Sequence, residues 1–560
     1  MTVVLAGVVA SPTTRVAGVR YVDGFGTMWW FWYLGEVLAG RAGLLHTDLL
    51  FFPGGKEVFA HTGGNMLDGL AAWPLRLLLG PVLGYNAWIA ALVATNFAAG
   101  AYLGRVATGS PGWPAGLVLA LNPFVLREIE EGRPTQAWLA LPALALAGAW
   151  QCRSTRGALA TGLAVAATGW LYWYYGLVFG LLAVLVGVVR LADRRDLRSA
   201  WALGLAGLVA LLAVSPALAL LSGQLAEGKV PGLFAMDGTG PTAPLAFRTV
   251  EGDDAGMQVL SLRGVFGGLI DEGGLRFAPG KPALGLAGVA TAALGAVVLW
   301  RGRQLAVAVA AGLAVLLSLG IALGPVLVLG DGFVVNQPYI WLMERVDVLR
   351  RWWWPGRGVA GVVVALCLLV PAAARSRLGA LGVVTMVAVE TWRVGIVPLS
   401  TWDGAVPRGL RCLAVAPAGA VVDLPFLSDQ HNLYLQTLHQ KPILGGMLVK
   451  KPSFGSASAL ALRAENSFLD LLLDYGDMEL LREASYEEAD RARLVDLGFR
   501  YVVVDLSRFE GAAAGLGAGT MGGSNWPRVK RLLHPALGEP EVEGEGVAVY
   551  TLDGSPLDCG

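Results

Sequence analysis

Charge is scarce in this chain of 560 residues: 15% of it is Asp, Glu, Lys or Arg, while 55% is apolar. An ordinary soluble domain carries roughly 25% charged residues, too many for this composition to match as a water-covered globule. Cysteine is scarcer still. The four present, Cys152, Cys367, Cys412 and Cys559, show no CxxC spacing, which argues against a zinc or redox motif. No charge of one sign dominates, since Lys+Arg and Asp+Glu both number 42. With no basic stripe interleaved with aromatics, a nucleic-acid partner is not expected. The first residues lack a charged stretch followed by a small-residue cleavage site, so a cleaved signal peptide is not expected.

What the chain has instead is long apolar runs, and the mean hydropathy is +0.58. A transmembrane helix needs about 20 mostly apolar residues. Ten stretches are candidates, several of them short: 85–103, 114–127, 137–150, 158–173, 176–191, 200–222, 284–300, 305–329, 358–374 and 379–397. Backbone groups in lipid must be satisfied internally, so these runs predict helices rather than strands. Their many Gly and Ala residues suit close helix–helix approach. Residues 3–19 would make an eleventh span, although they contain Pro12 and Arg15.

Basic residues fall in alternate loops: Arg105; Arg153 and Arg156; Arg190, Arg194, Arg195 and Arg198; Arg301 and Arg303; Arg375 and Arg377. The positive-inside rule assigns that side to the cytoplasm. The opposite side then receives the acidic loop 223–283 and the aromatic clusters Tyr172–Tyr175 and Trp352–Trp354. The reading is a mainly α-helical polytopic membrane protein with about ten or eleven spans in residues 1–403. Its outer loops are 20–84, 122–137, 223–283 and 330–357. From 404 to 560 the composition is that of a soluble domain of ordinary size. Runs at 420–426, 500–506 and 547–552 read as strands and 466–496 as helical, predicting an extracytoplasmic α/β domain. Cys412 and Cys559 stand near its two ends, where a disulfide is permitted; Cys152 and Cys367 should remain unpaired.

The outer segments hold the residues that suggest chemistry. Thr27–Ala39 is apolar and aromatic between Asp23 and Glu36, and predicts a helix in the interface plane with Trp29, Trp30 and Trp32 at headgroup depth. Residues 69–83 read as a re-entrant or interfacial segment. Asp23 opens the first loop, as a helix cap or as a carboxylate poised for general-base work. Asp48, His61 and Asp68 share that loop; each taken singly reads as a solvated or capping residue. In 122–138, Glu128 and Glu131 lie at i,i+3 and share a helix face. With Glu130 and Arg133 they form an exposed helix end, or else a carboxylate pair for a divalent metal or sugar hydroxyls. Arg345, Arg350, Arg351 and Arg357 concentrate positive charge on the side otherwise poor in it. Guanidinium forks suit phosphate, and snorkelling to headgroups is the other reading.

Several of these stretches together resemble the GT-C-type membrane glycosyltransferases of bacteria. The resemblance runs through DGFGTMWWFWYL at 23–34, TDLLFFPGG at 47–55, GYNAW at 84–88, NPFV at 122–125, EEGRPTQAWLALP at 130–142 and RRWWWPGRGVAG at 350–361. It continues in VVDLPF at 421–426, QTLHQKPILGG at 436–446 and LGFRYVVVD at 497–505. It implies a polyprenyl-phosphate sugar donor, a glycan, lipid or protein acceptor, and a place in the bacterial cytoplasmic membrane among its lipids. It also implies that Asp23 deprotonates the acceptor, with Glu128 or Glu131 assisting. Asp48 and His61 would contribute to substrate binding, and Arg345, Arg350, Arg351 and Arg357 would grip the donor phosphate. No second carboxylate motif follows Asp23. A lipid-borne donor accounts for the lack of a nucleotide-binding motif. No cofactor is firmly implied. The rival classes are a membrane scaffold and a lipid-linked glycan transporter; a transporter predicts charges within the spans, and Glu390 comes nearest.

Overall fold

The computed structural model describes residues 5–20, 22–59, 66–226, 286–302, 304–322, 326–329, 333–336, 345, 355–393, 397–446, 457–479, 484–509 and 525–559. The described residues 5–19 form no membrane span. Residues Ala6–Val9 form one short helical turn, and strand β1 (Arg15–Ala17) follows. Pro12 lies between them, where its missing N–H cannot serve a continuous helix. Strand β1 pairs antiparallel with β2 (Thr401–Asp403), which ties the chain's start to the segment entering the C-terminal region. The expected eleventh span is therefore absent from residues 5–19.

Helix α1 (Val22–Leu38) holds the aromatic run. Its tryptophans face the protein interior. Trp29, Trp30, Trp32 and Tyr33 are buried inside the protein, and Trp29 Nε1 donates to Gln436 Oε1 at 2.6 Å. Tryptophan suits an interface because one edge is polar; here that edge is satisfied by a glutamine instead of headgroups. Residues 69–83, read as a re-entrant or interfacial segment, fall in the helix Met66–Leu79 and in the first turn of α2 (Pro81–Thr108), which follows it at once.

Among the described residues five helices are long and apolar enough to cross a membrane: Pro81–Thr108, Trp173–Arg194, Leu197–Gly223, Leu305–Ala322 and Gly356–Ala373, with Gly288–Arg301 shorter. Over most of their described residues the apolar runs 85–103, 158–173, 176–191, 200–222, 284–300 and 379–397 each overlap a helix. Other runs are interrupted, as 137–150 is at Trp138 and Leu139 between the helices Pro134–Ala137 and Ala140–Gln151. The run 114–127 divides into α3 (Trp113–Leu121) and α4 (Pro123–Glu130), because the Asn122 side chain caps the second helix at Phe124 N and Pro123 starts it. The run 305–329 ends as helix at Ala322, and Val326–Leu329 pairs as a strand with Phe333–Asn336. Small residues let the helices close on one another: a Cβ on Gly104 would lie 2.8 Å from Ala115 Cβ. The basic loops meet at common points. Arg375 reaches Ser110 Oγ at 3.0 Å and Gln304 Oε1 at 2.6 Å, and Arg153 lies 3.4 Å from Asp196.

The C-terminal region carries a four-stranded sheet. Strand β3 (Ala420–Leu424) pairs parallel with β4 (Phe499–Asp505); β6 (Val547–Thr551) pairs antiparallel with β4 and with β5 (Val542–Gly544). Each residue of β3 and of β6 is buried, as a run with no polar alternation predicts. Cys412 and Cys559 are joined by a disulfide, while Cys152 and Cys367 stay free and buried.

Candidate functional site

The turn between α4 and the one-turn helix α5 (Pro134–Ala137) builds the centre of charge. Gly132 makes the turn possible: its φ is +76°, and a Cβ there would sit 2.3 Å from Gly24 Cα on α1. The chain folds back so that Arg133 N donates to Glu128 O at 2.7 Å. The Arg133 side chain then reaches back to the end of α4. Nε donates to Glu128 Oε2 at 2.5 Å, Nη2 contacts Glu131 Oε2, and Nη1 donates to Asp23 Oδ2 at 2.8 Å.

All three carboxylates expected to act thus meet on one guanidinium. Arg127 adds a second cation, with Nε 3.0 Å from Glu131 Oε1. The helix end is not exposed, contrary to one of its two readings. The Glu128 and Arg133 side chains are 1% and 9% exposed, against 34% for Asp23. Burial disfavours the Arg133 charge; Glu128, Asp23 and Glu131 together outweigh that and hold its pKa well above the ordinary arginine value. Among the described residues Asp23 is bonded through Oδ2 only, so its partly exposed carboxylate keeps Oδ1 for another partner. Glu130 points elsewhere and accepts from Ser400 N at 3.0 Å.

Arg357 approaches the same region from the mouth of the span Gly356–Ala373. It is buried; its Nη1 donates to Tyr172 Oη at 2.5 Å, and its guanidinium stands 5.6 Å from that ring's centroid. Tyr172 packs edge-on against Tyr175, whose hydroxyl donates to Gln136 O at 2.8 Å, three residues past Arg133. The charge of Glu128 acts on Tyr172 and Arg357 alike.

Other expected residues stand apart. Asp48 is exposed and lies 3.2 Å from His46, in the turn between the paired segments His46–Thr47 and Lys56–Glu57. Arg345 is exposed. His61, Arg350 and Arg351, like Trp352–Trp354 and most of 223–283, lie outside the described residues. Sequence reasoning undervalued two residues. Arg133 was visible only as one charge among five in its loop. Asp68 is not solvated: it is fully buried, accepts from Gly69 N at 2.8 Å and meets the Thr135 hydroxyl. Burial pushes its carboxyl up to about 7. Its place at the head of an apolar helix was the signal. Among the described residues no group of three or more His, Cys, Asp or Glu side chains is disposed to hold a metal ion, and Asp23, Glu128 and Glu131 are engaged by Arg133.

This arrangement of helices matches a solved structure along nearly its whole length. The arabinofuranosyltransferase AftD from mycobacteria superposes with a TM-score of 0.54 at 17% identity, covering 97% of this chain and 38% of that one. The fold is of the GT-C type. This chain therefore spans well under half of AftD's length. Two further GT-C structures were matched. One is the oligosaccharyltransferase AglB from Archaeoglobus fulgidus with an inhibitory peptide and a dolichol-phosphate (TM-score 0.45, 11% identity, 88% of this chain and 66% of that one). The other is ArnT from Cupriavidus metallidurans bound to undecaprenyl phosphate (TM-score 0.38, 15% identity, 98% and 96%). No family model matches the chain, and no curated protein does.

Proposed function

We propose that the protein is a membrane glycosyltransferase that moves a sugar from a polyprenyl-phosphate donor to an acceptor at the extracytoplasmic face. The convergence of Asp23, Glu128 and Glu131 on Arg133, beside Arg357, carries this reading. Asp23 is partly exposed and held through one oxygen, which suits a base that takes the acceptor's hydroxyl proton. As that proton leaves, the acceptor oxygen bonds to the anomeric carbon and the bond from that carbon to the phosphate oxygen breaks. The departing lipid phosphate gains charge, and Arg357, at the mouth of a span, is placed to receive it. Glu128 and Glu131 serve as positioning residues, because they reach Asp23 through Arg133.

The basic loops gathered on Arg375 and Arg153 would face the cytoplasm of a bacterial cell. The disulfide in the C-terminal region suits the opposite, oxidising side, where residues 404–560 would form the outer domain. The test is transfer of radiolabelled sugar from polyprenyl-phosphate donors in membranes, comparing wild type with Asp23→Ala at equal abundance. Loss of transfer in Asp23→Ala supports the reading, and equal transfer removes Asp23 from the mechanism. Absence of transfer from every donor favours a scaffold.

A further inference from the structure

A cavity lies where the C-terminal region meets the start of α1. Its volume is about 480 Å³, and its walls include Arg20, Trp402, His431, Tyr434, Asp505 and Ser507. His431 and Tyr434 lie on helix α6 (Asp429–His439), and Asp505 ends strand β4. Arg20 lies three positions before Asp23, and Phe25 on α1 packs its ring 4.7 Å from His431. An occupant would therefore touch both the C-terminal sheet and the segment leading into the Asp23 helix.

The polar groups lie within contact distance of one another. Arg20 Nη2 stands 3.0 Å from His431 Nε2 and donates to Ser507 Oγ at 3.2 Å. Arginine only donates, so Nε2 is the acceptor in that contact, and Nδ1 is the ring's other nitrogen. That nitrogen faces Asp505 Oδ2 at 2.5 Å, and the buried Asp505 also accepts from the Ser507 hydroxyl at 2.7 Å. The aromatic wall is Trp402 edge-on to Tyr434, with ring centroids 5.2 Å apart. At the rim Arg411 lies 3.8 Å from Glu545.

Charge decides which chemistry fits. Arg20 and Arg411 supply two cations, and Asp403, Asp505 and Glu545 supply three carboxylates. A pocket with that balance does not favour an anion. Aromatic faces next to alternating donors and acceptors suit a ring with apolar C–H faces and several hydroxyls. We infer that this cavity is a binding site for a neutral glycan unit, the acceptor of the transfer reaction. The acceptor role rests on the glycosyl-transfer reading; the binding does not, and it is measured without transfer.

The experiment places the purified full-length protein in lipid nanodiscs on an array of neutral, uronate-containing and phosphorylated oligosaccharides. The best neutral oligosaccharide is then titrated by tryptophan fluorescence. Neutral binding weakened by about tenfold or more in Arg20→Ala, with an unchanged melting temperature, supports the site. Arg153→Ala, in a basic loop, should bind as wild type does. If Arg20→Ala does not fold, Glu545→Gln at the exposed rim takes its place, with the same weakening expected. Preference for acidic glycans, no neutral binding, or wild-type binding in the folded variant overturns the site. Glycan binding by a protein that transfers from no donor overturns the transfer reading and keeps the pocket. Transfer without such binding overturns the pocket alone.

Discussion

Arg133 Nη1 lies 2.8 Å from Asp23 Oδ2, joining residues 110 positions apart. The same guanidinium also holds Glu128 and Glu131, so one cation neutralises charge contributed by α1 and by the end of α4. This makes Arg133 the residue on which the candidate site depends for its shape, and Asp23 the one with room to act.

Replacing Arg133 with Ala leaves Glu128 buried without its partner. Removing one member of a buried ion pair costs about 3–5 kcal/mol. Arg133→Ala should lower thermal stability in nanodiscs by that order, and Arg133→Lys by less, since a lysine keeps charge but loses the fork. Asp23→Asn should change stability little, because the side chain is 34% exposed, while transfer is lost. A stable, fully active Arg133→Ala protein would contradict the role given to this cluster.

Gly132→Ala meets both a positive φ and a backbone neighbour, Gly24 Cα, at 2.3 Å. The expected loss is about 1–3 kcal/mol, with transfer reduced because α1 and the Arg133 turn must separate. Gly382→Ala is the control: nothing lies within 4 Å of its added Cβ in the helix Arg377–Arg393, so stability should hold or rise slightly. Melting curves of the two variants, recorded side by side, decide it.

Asp68 gives a pH dependence whose sign follows from linkage. Burial raises its carboxyl from 3.8 to about 7, with Thr135 and Gly69 only partly opposing. Below pH 3.8 both folded and unfolded chains carry the proton, and its contribution to stability is complete. As pH rises from there to about 7 the unfolded chain alone gives up the proton, so that contribution is lost, by about 4 kcal/mol in all. Asp68→Asn, neutral throughout, should flatten this part of a stability–pH profile between pH 4 and 7, a window taken from those two values. An identical slope in wild type and variant would refute the assignment.

The Cys412–Cys559 bridge closes a loop across a sequence separation of 147. Losing it should cost about 2–5 kcal/mol. Cys412→Ser and reduction of the wild type by dithiothreitol should lower the melting temperature equally, and dithiothreitol should not affect Cys412→Ser. Cys152 and Cys367 should resist alkylation until the protein unfolds, because both are buried.

Much of the membrane part was legible from run length alone. The stretches 176–191 and 200–222 coincide with the helices Trp173–Arg194 and Leu197–Ala226, because apolar length is a local property. The strands at 420–424, 499–505 and 547–551 were legible for the same reason. Misreadings arose where hydrophobicity told that a residue leaves water but not what covers it. Trp29 left water for Gln436 rather than for headgroups, and Val326–Leu329 left a helix for a strand pair.

The sequence by itself determined that long apolar runs would be largely helical and that an α/β region would follow. Those outcomes depend on residues close together in the chain. Only the tertiary structure decided that Asp23 would meet Glu128 and Glu131 on Arg133, that Asp68 would be buried against Thr135, and that Arg20 would reach His431. A charge can be read in a sequence, but its partner depends on packing between segments far apart, and packing is set by the whole fold.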